Sequence, residues 1–421
     1  MSDSLDDWGG SEFALAADRL DTPDVIEAAD PGDVLRQVAS AAAQVRTSLR
    51  SCQEANLSAF TPDARPRALV ATGLGSAGLA GEVLGAVVGP GSPVQVIASQ
   101  AERLPGWVGA ADAVIAVSAP GATAQTLAIA AEAARRGCRL ACIGTKDSAL
   151  QRVAEQARAP FITVEPAGPS GPVLPRSALW ELAIPLLVIA ERLGVARLGP
   201  EVYEKAANRL EDVSHQCRPA SESFVNPGKS LALDLVGSLP VVWGTSLLSG
   251  VAARRFAAQL SEIAKYPAIA GVLPEAALGQ VAAFDGPFVP GALSPPAAPA
   301  PPPEAPDDIS GLEDLSSWEL DYEDAEITGT ARGRGFTPLR LVLITDPDQD
   351  PRVAAQQRAV TELATQRGIG LSELAMDGEH PLVRLAGVVQ LADYASVYLA
   401  IASGIDPGAA AAITDLRARS E

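Results

Sequence analysis

The clearest chemical pattern lies in VIAVSAPGATAQTL (residues 114–127), where an apolar run leads into small residues and then an Ala-rich helical pattern. A strand, a small-residue loop and a helix in this order form an anion-binding cradle, because the first N–H groups of the helix point at the loop. Ser118, Gly121 and Thr123 would line this cradle, although Pro120 lacks an N–H and removes one donor. The alternative is an ordinary turn in which Thr123 caps the helix.

A second loop of small residues, GLGSAG at residues 73–78, also joins an apolar run to a helical pattern. Gly75 and Ser76 are its candidates for ligand contact, through a backbone N–H and a hydroxyl. The alternative is a packing role, since small residues let a helix approach a strand closely. Because the loop at residues 118–123 belongs to the same unit, we expect both loops to line one ligand site.

Strand and helix patterns alternate from residue 67 onwards, and this alternation predicts a parallel, doubly wound sheet. The predicted strands of the first unit are ALVAT, PVQVIAS, AVIAVS, RLACIGT and APFITVE. SLPVVWG and LRLVLIT begin a looser repeat of strand, loop and helix. The fold class is therefore α/β with two similar units, and ligand sites are expected at the carboxyl ends of the strands.

The bulk composition limits the function classes that fit this chain of 421 residues. Its formal net charge is −19, which argues against a nucleic-acid partner because phosphate neutralisation needs clustered Lys and Arg. The apolar stretch at residues 178–195 contains Glu181, Glu191 and Arg192, so it predicts a buried helix and not a membrane span. We expect no membrane association.

The cysteines and the N-terminal segment favour a reduced, cytoplasmic protein. The segment MSDSLDDWGGSEF is acidic and lacks the basic and apolar regions of a signal peptide. The four cysteines have no metal-ligand spacing, and Cys138 and Cys142 fit plain core packing on a strand. We expect neither a metal nor a cofactor.

The sequence predicts four regions. Residues 1–60 form a helical and acidic segment, and residues 61–220 form the first unit with its trailing helices. Residues 221–288 and 336–421 form the second unit. Between them, residues 289–335 are rich in proline and acidic residues, which predicts a disordered insertion because such a segment cannot bury enough apolar surface.

Five motifs in order give the chain a resemblance to a known family. They are GLGSAG (73–78), SAPGAT (118–123), PRSAL (175–179), SEIAK (261–265) and PEAALGQ (274–280), followed by an apolar tail ending in GIDP. The chain resembles the bifunctional phosphoglucose/phosphomannose isomerases, and especially their actinobacterial TobH-type branch. Members of this family are built from two SIS (sugar isomerase) domains. The resemblance implies a flavodoxin-like parallel sheet flanked by helices in each domain.

The resemblance also implies site residues for aldose–ketose isomerisation, in which a proton moves between C1 and C2 through an enediolate. Arg176 matches the arginine that stabilises the enediolate, and Glu262 matches the base. Ser118 and Thr123 match the outer hydroxyls of the phosphate loop. Glu262 has the alternative of a solvated helix residue, and Arg176 that of a partner for a neighbouring carboxylate.

Several family positions hold residues that cannot perform the family's role. Pro120 and Ala122 replace a serine and an asparagine of the phosphate loop, and Ala77 replaces the serine of the first loop, where the neighbouring Ser76 could serve. Leu278 replaces the histidine that assists ring opening, and Gln280 replaces the glutamate after it. Leucine can neither donate nor accept a proton.

Two function hypotheses follow from this pattern. The first is a sugar-phosphate isomerase with weak activity, since loss of one general acid or base typically costs about 10²–10⁴-fold in rate. The second is a regulatory SIS protein that senses a phosphosugar without converting it. In both, the expected partner is a small phosphosugar. The resemblance also implies a homodimer.

Overall fold

The computed structural model describes residues 6–164, 167–168, 171–172, 177–290 and 337–420. Its helices are α1 (Asp6–Asp21), α2 (Pro23–Ala29), α3 (Val34–Ala39), α4 (Ala41–Glu54), α5 (Ser76–Val88), α6 (Ala124–Arg135), α7 (Ala149–Ala157), α8 (Leu179–Arg192), α9 (Pro200–Gln216), α10 (Pro227–Leu235), α11 (Leu247–Gln259), α12 (Glu275–Leu278), α13 (Pro351–Gln366), α14 (Pro381–Ala402) and α15 (Ala411–Ser420). Its strands are β1 (Ala68–Thr72), β2 (Gln95–Ser99), β3 (Ala113–Ser118), β4 (Arg139–Gly144), β5 (Phe161–Thr163), β6 (Ala167–Gly168), β7 (Gly171–Pro172), β8 (Leu239–Gly244), β9 (Ile269–Val272), β10 (Leu339–Thr345) and β11 (Gly370–Ala375).

The first sheet contains five parallel strands in the order β2-β1-β3-β4-β5. This is the flavodoxin-like order, in which the chain reverses direction across the sheet between β1 and β3. All residues of β1 and β3 are buried, as expected for strands covered on both faces. The predicted α/β fold class is confirmed for this unit.

The second sheet is also parallel and has the order β11-β10-β8-β9 among the described residues. It repeats the order of the first four strands of the first sheet, which confirms the prediction of two similar units. The sequence did not reveal β9 and β11. Both lie at sheet edges and are half-exposed, and polar residues such as Ser372 and Glu373 interrupt the apolar pattern of β11.

Helix α14 lies at the centre of the molecule and packs against α9, α10 and α11. This mainly apolar helix of 22 residues is long enough to cross a membrane, but it is almost wholly buried inside the protein. Helix α8, within the apolar stretch predicted to be a buried helix, is likewise buried. One hydrophobic cluster runs from α1 through α5, α8 and α11 to α14, so both units share a continuous core.

The division of the chain into four regions remains a prediction. One hydrophobic cluster contains residues from several of these regions, so the packing shows no sharp boundary between them. Helices α1 and α3, from the predicted N-terminal segment, pack on α14 near the C-terminus. At the predicted insertion, Val289 is buried in the core of the second sheet. The rest of that insertion, from residue 291 to residue 335, lies outside the described residues.

Candidate active site

The loops after β1 and β3 meet at the carboxyl edge of the first sheet. Thr72, the last residue of β1, is paired with Ala116 of β3. At Gly73 an added Cβ would lie 2.8 Å from the carbonyl oxygen of Val117, closer than real Cβ atoms approach. Only glycine lets the first loop approach β3 this closely, so the structure brings the two predicted loops together.

Ser118 and Thr123 face each other across the SAPGAT loop. Their hydroxyl oxygens are 2.9 Å apart, and Ser118 is 3% exposed. Thr123 occupies the N-cap position of α6 but makes no side-chain cap hydrogen bond. The first N–H groups of α6 are therefore not used up by a capping side chain, and the hydroxyl pair lies at the positive end of the helix dipole.

Gly121 has a supporting role in the same loop. Its backbone is left-handed (φ 62°), and an added Cβ would lie 2.3 Å from Ser148. Its N–H donates to the carbonyl of Ser118 at 2.9 Å, which closes the turn. Because the N–H of Gly121 already donates to Ser118, this residue shapes the loop. A hydrogen bond from the loop to a ligand would have to come from other donors.

In the first loop, Gly75 and Ser76 lie at the start of α5. Gly75 is exposed, has φ 59°, and an added Cβ would meet nothing within 4 Å. Ser76 is half-buried in the first turn of the helix, whereas Ala77 is buried with its N–H bonded to Leu74. If this loop contributes a hydroxyl to the site, it comes from Ser76.

Glu262 comes from the other unit, which contacts the first unit through helices α5 and α11. Helices α5 and α11 pack against each other, and residues of both, including Gly85 and Leu247, line one cavity. Glu82 and Arg254 join the two helices at mid-length, with Oε2 and Nε 2.6 Å apart. Glu262 lies just beyond the end of α11.

Glu262 is exposed on a π-helical turn, Leu260–Ala264, that continues α11. One turn earlier, the side chain of Gln259 is 1% exposed, and neither of its polar atoms has a hydrogen-bond partner in the part of the chain that the structure describes. Unpaired buried amides are rare, so Gln259 is a feature of this region that the sequence did not indicate. Arg176 lies outside the described residues.

Leu278 and Gln280 follow β9 in the chain, and α12, which ends at Leu278, packs against that strand. Leu278 ends α12 and is 77% exposed, so its side chain is available to groups outside this chain. Gln280 has a structural role: its Oε1 accepts from the indole N–H of Trp243 at 2.6 Å, and its Nε2 donates to the carbonyl of Ala270.

The corresponding loop of the second unit is filled by a carboxylate of the protein itself. Ser246, the N-cap of α11, donates to Asp346 Oδ2 at 2.6 Å, and Asp346 Oδ1 lies 3.3 Å from Arg384 Nε. Asp346 and Arg384 are 4% and 5% exposed. Asp346 thus lies at a helix N-terminus where a bound anion would otherwise interact, so the first unit offers the more open anion position.

The described residues contain no group of three or more His, Cys, Asp or Glu side chains that could hold a metal. All four cysteines are buried thiols, and burial raises the pKa of Cys52, Cys142 and Cys217 to about 12. These thiols therefore stay protonated and unreactive at neutral pH.

Two parallel sheets of flavodoxin-like order, with hydroxyl-bearing loops at the strand ends of the first, define the class of double SIS proteins. Residues 224–419 match the family model of the bacterial phospho-glucose isomerase C-terminal SIS domain. A bifunctional phosphoglucose/phosphomannose isomerase from Caldicellulosiruptor bescii is 26% identical over 339 residues, covering 80% of this chain and 85% of the relative.

A second protein of that name, from Aquifex aeolicus, is 28% identical over 184 residues, 44% of this chain and 51% of the relative. The C-terminal domain of glucosamine-fructose-6-phosphate aminotransferase from Francisella tularensis has a similar fold, with a TM-score of 0.59, 14% identity, and coverage of 89% of this chain and 97% of that domain. The chain is therefore similar over most of its length to bifunctional phosphoglucose/phosphomannose isomerases, and its C-terminal part matches their SIS domain. The TobH-type branch remains a prediction.

Proposed function

We propose that this protein binds a phosphosugar at the carboxyl edge of the first sheet, and that its aldose–ketose isomerase activity is weak or lost. The observation that carries the proposal is the meeting of the two loops at this edge, with the Ser118–Thr123 hydroxyl pair at the uncapped start of α6. A phosphate there would accept hydrogen bonds from hydroxyls and from first-turn N–H groups of α5 and α6.

In the isomerase form of the proposal, Glu262 moves the proton between C1 and C2 and Arg176 stabilises the enediolate. The packing of α5 against α11 supports this role of Glu262, because it joins the helix that precedes Glu262 to the helix that begins at the first phosphate loop. Ring opening is the weak step, since Leu278 stands at the family's histidine position and has no group that transfers a proton.

The second candidate is a binding or regulatory SIS protein that senses the phosphosugar without converting it. It is favoured by the engaged N–H of Gly121 and by the loss of donors at Pro120 and Ala122, which weaken the phosphate loop. Both candidates share the same ligand class, need no cofactor and fit a cytoplasmic protein. They also fit a homodimer, in which the exposed Leu278 would contact the partner subunit.

The experiment that separates the two candidates measures binding and conversion together. Purified protein is incubated with fructose 6-phosphate, mannose 6-phosphate and glucose 6-phosphate, with calorimetry for binding and chromatography for interconversion. Turnover that is lost in Glu262→Gln, but kept in the control Glu362→Gln at an exposed position of α13, supports the isomerase. Binding without turnover supports the sensor. If none of the three phosphosugars binds, the proposed function is wrong.

A further inference from the structure

Lys146 lies in the loop after β4, next to the SAPGAT loop on the neighbouring strand. We propose that Lys146 binds the phosphate of the ligand and supplies the positive charge that the loops after β1 and β3 lack. The inference rests on the proposed function, because it requires a phosphorylated ligand at this edge of the sheet.

Backbone contacts fix the loop of Lys146 against the SAPGAT loop from both sides. On one side, the N–H and Oγ1 of Thr145 both donate to the carbonyl of Ala119, at 3.2 and 2.5 Å. On the other side, the N–H of Leu150 donates to the carbonyl of Gly121 at 2.9 Å. Lys146 therefore lies between two anchors to the loop that holds the predicted phosphate ligands.

The local backbone places Lys146 at the outer end of its loop. Asp147 has a left-handed backbone (φ 60°), so the chain turns back immediately after Lys146. Ser148 then caps α7 by accepting from the N–H of Gln151 at 3.3 Å. Lys146 itself is exposed, and its ammonium takes part in no hydrogen bond or ion pair within the described ranges.

The charge balance at this edge explains why a cation is needed. The loops at residues 73–75 and 119–123 contain no charged residue, and the chain carries a net charge of −19. A phosphate dianion there would meet only neutral donors. Two side-chain donors are also missing, because Pro120 and Ala122 replace a serine and an asparagine of the family's phosphate loop. A lysine ammonium on a flexible four-carbon stem is a point charge well suited to phosphate.

The test compares the affinity for fructose 6-phosphate of the wild type, Lys146→Met, Lys146→Arg and Lys205→Met, by calorimetry at low and high salt. Lys205 is an exposed lysine on α9 that pairs with Glu379, so its loss controls for net charge. We expect Lys146→Met to bind about tenfold more weakly, with a smaller salt dependence, because one charge-assisted contact is lost. Lys146→Arg should retain most of the affinity, and Lys205→Met should bind like the wild type.

The result that overturns the inference is Lys146→Met binding as tightly as the wild type while Ser118→Ala binds more weakly. In that case the phosphate site stands and Lys146 has no part in it. An equal loss in Lys146→Met and Lys205→Met would also overturn the inference, since it would reflect net charge alone. If the wild type does not bind fructose 6-phosphate or its isomers, the proposed function fails and this inference fails with it.

Discussion

Among single residues, the Ser118–Thr123 pair is the most important for the proposed phosphate site. Ser118→Ala removes one hydroxyl and leaves Thr123 without its partner at 2.9 Å. We expect the affinity for fructose 6-phosphate to fall about tenfold, while the free energy of unfolding falls by only about 1 kcal/mol. Calorimetry and urea unfolding measure the two effects.

Ser396→Ala is the control for that substitution. Ser396 is fully buried in α14 and donates to the carbonyl of Ala392, so its loss also costs one intramolecular hydrogen bond. It should lower stability to a similar degree and leave the affinity unchanged. Equal loss of affinity in both variants would mean that Ser118 acts only through folding.

At the scale of secondary-structure elements, the second unit depends on the contact between Arg384 of α14 and the end of β10. Arg384→Met would leave Asp346 buried without its cation, which typically costs about 3–5 kcal/mol in the free energy of unfolding. Urea unfolding measures this loss, and Asp346→Asn in the same chain should recover part of it.

Arg352→Met is the matched control for Arg384→Met. Arg352 pairs with Asp350 at 3.0 Å, but its side chain is 91% exposed, so its loss should cost less than about 1 kcal/mol. Similar losses in the two arginine variants would contradict the buried network at the second loop.

Helix α14 begins at a cap that depends on the protonation state of His380. The Nδ1 atom of His380 accepts from the N–H of Leu382 at 3.1 Å, which requires an unprotonated nitrogen. Burial, with a smaller contribution from the nearby Arg384, lowers the pKa of His380 below its usual 6.5, although a backbone hydrogen bond to Arg197 opposes the shift. The folded state therefore favours the neutral ring.

The sign of the pH effect follows from that shift. As the pH falls through 6.5, the unfolded chain takes up a proton at His380 before the folded chain does, so the free energy of unfolding falls. His380→Asn keeps a capping side chain that does not titrate, and it should lose less stability between about pH 7.5 and 5.5. Exposed His215→Asn is the control; an unchanged pH dependence in His380→Asn would contradict the titrating cap.

The sequence predicted elements well where burial is complete. The apolar runs of β1, β3, β4, β8 and β10 were found because strands buried on both faces read as continuous apolar stretches. The edge strands β9 and β11 were missed because β9 has only four residues and because Ser372 and Glu373 interrupt the apolar pattern of β11. The site was predicted in part: the two Gly-rich loops were identified, but the loop of Thr145 and Ser148 depends on strand order, which a single sequence does not specify.

At the scale of the whole molecule, the exposed Leu278 tests the proposed homodimer and the isomerase hypothesis together. If Leu278 replaces a histidine that acts across a subunit interface, Leu278→His should raise the rate of phosphosugar interconversion, by up to about 10²-fold. Phe224→His, at a similarly exposed side chain, is the control. No gain in Leu278→His would contradict this account of the weak activity and favour the sensor.

The continuous core around α14 makes the two units one folding body, so ligand binding to the first unit should stabilise the whole chain against unfolding. The units nevertheless differ at their strand ends. The first presents a neutral, uncapped loop, and the second is closed by Asp346. The central claim is therefore that one phosphosugar binds per chain, at the first unit.

A crystal structure of the protein with fructose 6-phosphate tests that claim most directly. We expect one sugar phosphate per chain, with phosphate oxygens within hydrogen-bond distance of the Ser118 and Thr123 hydroxyls and of first-turn N–H groups of α5 or α6. A phosphate bound at the Ser246 loop of the second unit in place of Asp346, or bound away from both loops, would contradict it.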